Sequence, residues 1–292
     1  MFGKISTEIG SISKIVGEEK AIEYVAKAGF TAWDFSMFDM VKYDGERNKF
    51  VSDDSHPLTD SGAKKFVRRL RRIGEDNGIT CNQSHAPFPS DRPEMTDFLF
   101  RAIEYTAEVG GEICVIHPAT KSGLAGNEEL FGKLLPFAKR HNVVIATENV
   151  WHWDREKDQV RDTIGMTPDS FNALLDLFND EHFVACLDIG HAEMRGTNTT
   201  AVEMIKALGN RLKALHIHDN DRWHDSHQIP FSMDIDFYSV AKALKEINYT
   251  GDFTLEASAY LNGYTKENVF DGVKDLYASA KKFKDIFEGI DL

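Results

Sequence analysis

Hydrophobic and polar positions along the chain follow two periods. Short runs rich in β-branched and aromatic residues alternate with longer stretches whose apolar positions recur every three or four residues. The β-rich runs read KISTEI (4–9), TAWDFS (31–36), ITCNQSH (79–85), EICVIH (112–117), VVIATEN (143–149), FVACLDIG (183–190), LKALHIHD (212–219) and FTLEAS (253–258). Amphipathic stretches fall between them, such as EEKAIEYVAKAG (18–29), MTDFLFRAIEYTAEVG (95–110) and DSFNALLDLFND (169–180). A last one, VFDGVKDLYASAKKFKDIFEG (269–289), follows the eighth run. Gly29, Gly78 and Gly110-Gly111 close helical stretches, where glycine takes a left-handed cap freely, and Thr167-Pro168-Asp169 opens one.

Eight strand–helix units with no break in composition predict an α/β fold, a (β/α)8 (TIM) barrel forming a single domain over 1–292. Most of the strands are apolar on both faces, as parallel strands covered by helices must be. Two long connections, 37–60 and 220–235, begin at strand C-termini and so belong to the face that carries active sites in such barrels.

The chemistry sits where each strand turns polar. Strand three ends in Ser84-His85, strand four in His117 and strand five in Glu148-Asn149. Strand six ends in Asp188 with His191 close behind, strand seven in His216-Ile217-His218-Asp219 and strand eight in Glu256. Any one of these is an ordinary rim hydrogen-bonder. Six successive strands ending in His, Asp or Glu are not, because burying so many together is costly unless a cation compensates them. Glu148, Asp188, His216 and Glu256 are the expected ligands of one divalent ion. Three carboxylates and an imidazole suit Mn, Co, Mg or Zn, with no thiolate expected in the set. A six-coordinate ion so held keeps two positions for adjacent substrate oxygens and acts on them as a Lewis acid.

Charge and composition narrow the partners. With 34 basic and 47 acidic side chains the net charge is −13, which repels phosphate backbones and disfavours nucleic acid. The one dense basic run, Lys64 to Arg72, has apolar residues at 66, 67, 70 and 73 and reads as the solvated face of a helix. No apolar run approaches the roughly 18–20 residues that span a membrane, and MFGKISTEIG has no secretory pattern. Cys81, Cys114 and Cys186 each lie in an apolar run, which predicts buried thiols and a cytoplasmic protein.

Taken in order, SHAPF (84–88), VIHPA (115–119), TEN (147–149), CLDIGH (186–191), HIHDND (216–221), DSH (225–227) and LEAS (255–258) carry a resemblance over nearly the whole chain. The chain resembles the xylose isomerase-like TIM-barrel superfamily, which includes sugar and sugar-phosphate isomerases and epimerases, inosose dehydratases and endonuclease IV. The ketose 3-epimerase branch implies Glu148, Asp188, His216 and Glu256 as metal ligands. It further implies that Glu148 and Glu256 are catalytic, removing and returning a proton on opposite faces of a sugar carbon through a cis-enediolate. His191 and Arg222 would steady the developing negative oxygen, with His85, His117 and Trp223 also facing a small sugar or polyol. Asn149 and His218 would stand behind the ligands.

The endonuclease IV branch implies instead up to three Zn ions on nine ligands: His85, His117, Glu148, Asp188, His191, His216, Asp225, His227 and Glu256. The glycine-rich turn expected after the last histidine is replaced by Gln228-Ile229-Pro230-Phe231-Ser232-Met233, and the chain is strongly acidic. Inosose dehydration is a third activity compatible with the resemblance. The reading adopted is a divalent-metal-dependent sugar or sugar-phosphate isomerase or epimerase.

Several residues have a second, purely structural reading. Trp33, Trp151, Trp153 and Trp223 serve either as sugar platforms or in loop packing. Phe88 is placed to roof the pocket, Asp154 to touch substrate, and Lys121 or Arg195 to hold a phosphate or carboxylate. His56, His141, His152, His182 and His224 are expected to do no chemistry. Oligomeric state, a homo-oligomer included, is left open; the apolar residues of 269–289 are assigned mostly to barrel packing.

Overall fold

Eight parallel strands close on themselves in chain order. They are β1 (Ile5–Thr7), β2 (Ala32–Ser36), β3 (Thr80–His85), β4 (Ile113–Ile116), β5 (Val144–Glu148), β6 (Phe183–Asp188), β7 (Leu212–His216) and β8 (Phe253–Leu255). The computed structural model describes residues 3–161 and 163–289. A continuous ladder runs from β2 to β7, and β8 pairs with β1, Ile5 opposite Phe253. Two short bridges close the seams, Ile217 with Leu255 and Glu8 with Asp34. At those seams Ile217 N donates to Thr254 O at 3.0 Å and Ile9 N to Asp34 O at 3.2 Å.

Outside lie α1 (Glu18–Ala28), α2 (Ala63–Asp76), α3 (Thr96–Val109), α4 (Gly123–Arg140), α5 (Pro168–Asp176), α6 (Ala201–Leu208), α7 (Phe237–Glu246) and α8 (Val269–Glu288), one after each strand. The expected caps are present: Gly29 (φ +114°) and Gly110 (φ +82°) end α1 and α3 in the left-handed region, and Thr167 with Ser170 forms a capping box at α5. On α8, Leu276, Phe283 and Phe287 are buried against the barrel.

Two differences from the sequence reading concern the upper face. Strands six and seven stop at Asp188 and His216, short of 190 and 219. Asp188 instead accepts from His191 N at 2.7 Å and caps a helical turn, Ile189–Ala192. Two hairpins were not expected, Val41–Asp44 with Lys49–Ser52 and His152–Asp154 with Gln159–Arg161. Both are polar and short, so their alternation is too weak to read from sequence.

The barrel interior is divided. On the β4–β7 side it is apolar, with Val115, Ala146, Val184, Cys186 and Ala214 packed together. On the other side it is a buried hydrogen-bonded cluster. Ser6 donates to Asn82 at 2.7 Å, Asn82 to Thr254 at 3.1 Å, and Gln83 to Asp34 at 3.0 Å. Four of the six cations of the basic run on α2 are paired: Lys64 meets Glu104, Arg68 meets Glu108, Arg69 meets Glu19 and Arg71 meets Glu75. No helix is long and apolar enough to cross a membrane among the described residues.

All three cysteines are buried, and burial pushes Cys114 up to about 11 and Cys186 up to about 12. A protonated, enclosed thiol is a poor nucleophile. Fewer than one thiol per chain is therefore expected to react with Ellman's reagent at pH 8 in the native state, against three in guanidinium. Rapid native-state reaction of two or more would contradict this packing.

Candidate metal centre

Period-two alternation decides which side chains meet above the barrel. Inward positions run Val144-Ala146-Glu148 on β5, Val184-Cys186-Asp188 on β6 and Ala214-His216 on β7. Each column is apolar until its last residue, so the ionisable groups form the top layer of the interior. Glu256, just past β8, joins them. Donor atoms of Glu148, Asp188, His216 and Glu256 all lie within 4.8 Å of one another. His216 Nδ1 stands 3.2 Å from Glu148 Oε1 and 3.4 Å from Glu256 Oε2, while its Nε2 faces Asp34 Oδ2 at 3.7 Å. A carboxylate behind an imidazole orients the ring and selects the nitrogen it presents.

Two further groups flank this one. On one side His85 Nε2 and His117 Nε2 lie 3.2 and 3.4 Å from Glu148 Oε2 and 3.2 Å from each other. On the other, His191, His218, Asp225 and His227 again bring their donor atoms within 4.8 Å. Asp188 stands between the groups, its Oδ1 3.1 Å from His218 Nε2. Three imidazoles are held by Nδ1 on a backbone carbonyl: His85 on Ala86 O (2.8 Å), His191 on Asn149 O (2.8 Å) and His227 on Glu256 O (2.7 Å). A neutral ring that donates from Nδ1 presents Nε2 as a free lone pair, the arrangement of a metal-ligating histidine.

Buried polar atoms without a hydrogen-bond partner gather here. Among the described residues they include Glu148 Oε1, Asp188 Oδ2, Asp225 Oδ1, Asp34 Oδ1 and both ring nitrogens of His216 and His218. Each such atom costs about 1–3 kcal/mol when left unpaired. The donor set and these orphaned atoms fit a divalent cation.

The electrostatics agree. Burial opposes charge on every group, yet the carboxylates prevail at His191 and His216, whose pKa values rise well above the ordinary range. Burial likewise opposes His227, but Asp225 beside it holds the ring at about 9. Glu148 is held well below the carboxylate range against burial, by the charge of His216 and by the imidazoles of His117, His216 and His85 against its oxygens. The pocket favours positive charge between its carboxylates.

Within the stretch 216–228, tertiary structure sorts the residues. His216, His218, Asp225 and His227 turn inward. Asp219 builds the loop, accepting from Ser232 N, Met233 N and Ile235 N at 3.0, 2.8 and 3.1 Å. His227 is held at φ +41°, in the left-handed region that non-glycine residues rarely adopt. Asp221 and His224 pair with each other, His224 at the surface.

The pocket over the centre, about 330 Å³, is lined by Phe38, His85, Phe88, His117, Glu148, Val150, Trp151, His191, Asp225, His227, Glu256 and Ser258. Phe88 stacks on His117 at 4.7 Å, and Trp151 Nε1 donates to Asp225 Oδ2 at 3.2 Å. Arg222 and Trp223 do not line it. Arg222 donates to Asp234 O and faces Glu193, and Trp223 lies under Arg195 at 3.9 Å, because the loop turns outward after Asn220. Lys121 faces Asp91, Asp154 caps a hairpin turn through Glu156 N, and Trp33 is wholly buried beside Phe35. Trp153 packs on Trp151. Asn149 clamps Asp188 through its backbone, accepting from Asp188 N and donating to Asp188 O, both at 2.8 Å.

Sequence reading missed Phe38, Asp34 and Cys186. The Cys186 thiol lies within 4.8 Å of donor atoms of Glu148 and His216, beneath a ligand set that itself holds no sulfur. Its place two residues before Asp188 on one strand face was the available signal. Asp34 follows the same alternation on β2, whereas Phe38 lies past the strand and gave none.

The sequence profile described as xylose isomerase-like TIM barrel matches residues 22–278. An uncharacterized protein of Methanocaldococcus jannaschii is 24% identical over 272 residues, 87% of this chain and 80% of the relative. A D-tagatose 3-epimerase-like protein superposes with a TM-score of 0.71 at 21% identity, over 98% of both chains. D-allulose 3-epimerase from Methylomonas sp., solved with D-allulose, gives 0.69 at 17% identity, over 97% of this chain and 96% of the other.

Gly190 lies against the His218 ring: a Cβ there would stand 2.0 Å from Cε1. Gly190→Ala is expected to cost about 1–3 kcal/mol by overpacking. That cost should shrink in a His218→Ala background, measured by urea unfolding of the double-mutant cycle. An undiminished cost would show that the ring is not what the glycine accommodates.

Proposed function

From the premise that the chain belongs to the xylose isomerase-like TIM-barrel family, we propose that it is a divalent-metal-dependent epimerase or isomerase of a small sugar. The observation that carries this reading is the convergence of Glu148, Asp188, His216 and Glu256 on one point at the barrel mouth. Similar folds that bear sugar 3-epimerase names, one with D-allulose bound, support the substrate class. When bound, a divalent ion supplies Lewis acidity to a carbonyl and its neighbouring hydroxyl.

The rest falls to the protein. Glu148 and Glu256 act as base and acid, one taking the proton from the carbon beside the carbonyl and the other returning it on the opposite face of a planar cis-enediolate. His191, its Nδ1 fixed on Asn149 O and its Nε2 facing Asp225, lines the pocket and adds positive charge beside the developing oxyanion when protonated. Phe38, Phe88 and Trp151 give the sugar apolar faces and limit water.

A second reading, zinc-dependent phosphodiester hydrolysis, has one observation in its favour: all nine side chains of the endonuclease IV pattern converge around the pocket, in three adjoining groups. Pairing of four of the six cations in the one dense basic run, on a chain of net charge −13, weighs against a nucleic-acid substrate.

Glu148→Gln and Glu256→Gln are each expected to lower kcat by about 10²–10⁴-fold with the circular dichroism spectrum unchanged. Product formed from a ketose in D₂O should carry deuterium at the inverted carbon; turnover without it would replace proton transfer by another mechanism. Chelation should abolish activity and Mn or Co restore it. Elemental analysis separates the readings, one Mn or Co per chain supporting the epimerase and three Zn with incision of abasic-site DNA supporting the nuclease.

A further inference from the structure

The metal pocket shares a wall with a second cavity. Phe38 and Ser258 line the pocket over the centre and, on their other side, a cavity of about 400 Å³ set above β1, β2 and β8. Each volume is that of an ordinary small-molecule site, and the two adjoin across Phe38 and Ser258. The floor of the second cavity is Glu8, a buried carboxylate that the reaction above does not use. Glu8 accepts from Ser11 N at 2.9 Å and from the Ser11 hydroxyl.

The lining has a definite chemistry. Ser36, Lys14, Asp39 and Asn262 make no side-chain hydrogen bond or ion pair among the described residues, so their donors and acceptors are free for a ligand. Tyr264, paired with Tyr260 at 5.9 Å between ring centroids, supplies an aromatic face. The lining holds one cation, Lys14, against the carboxyl groups of Glu8 and Asp39, so it offers no excess positive charge to a phosphate or carboxylate tail. Interleaved donors and acceptors beside an aromatic face match the hydroxyls and C–H face of a sugar ring.

We propose that this cavity is a second sugar subsite. The substrate carries, beyond the reacting ketose, an uncharged second ring that lies against Tyr264 within reach of Lys14, Asp39 and Asn262. This rests on the epimerase reading for the ketose end and adds the substrate class: a glycosylated ketose rather than a free hexose or a sugar phosphate. Binding energy from the second ring is spent on turnover at the first.

The test compares D-fructose with isomaltulose and lactulose, two-ring ketoses with a free carbonyl, on the metal-loaded protein. The expected result is a kcat/KM at least about tenfold higher for one of the two-ring ketoses, lost in Tyr264→Ala and Asn262→Ala while D-fructose turnover stays within about twofold. D-fructose turnover with no such gain, or variants that lower both substrates equally, overturns the subsite and leaves the epimerase reading intact. Calorimetric titration with isomaltulose covers the remaining case. Binding weakened by Tyr264→Ala without turnover of any ketose supports the subsite and sinks the catalytic reading. Neither binding nor turnover overturns both.

Discussion

Mutual compensation of buried charge at the barrel mouth is the constraint on which the upper half of this structure depends. Glu148, Asp188, Asp225 and Glu256 meet His85, His117, His191, His216, His218 and His227 where water is largely excluded. Isolated, any of these carboxylates would be neutralised rather than buried ionised. Held together they set one another's protonation, which is why His191 and His216 rise and Glu148 falls. The surrounding structure serves that arrangement. Asn149 clamps the Asp188 backbone, Asp34 stands behind His216, and three backbone carbonyls aim the imidazoles.

The division of the barrel interior makes this centre affordable. The apolar half under Glu148, Asp188 and His216 gives a dry, close-packed base. The polar half extends hydrogen bonds from Ser6 and Asn82 through Gln83 to Asp34, immediately behind the ligand histidine. Rigidity beneath and orientation behind are what a preorganised site requires. The loop after β7 supplies Asp225 and His227 only because Asp219 gathers three backbone N–H groups and folds the segment back over the barrel.

Most of the fold was legible. All eight strands were readable because a parallel strand buried on both faces is a short apolar run bounded by turns, and the helices because their apolar stripe has period 3.6. The two hairpins were not, since short polar strands on the surface leave no such trace. Spacing alone could not place Arg222 and Trp223: six and seven residues past His216 is compatible with a loop that turns in or out, and this one turns out.

By itself the sequence determined the barrel, the order of its units and the identity of the groups at each strand end. Strand periodicity and parallel topology turn those into one converging layer without further information. Only the tertiary structure decided that His218 joins Asp225 and His227 and that Phe38 forms a wall between two cavities. Those are meetings between loops and strands far apart in the chain. They depend on where each loop lands and which way it bends, which local patterns of hydrophobicity do not encode.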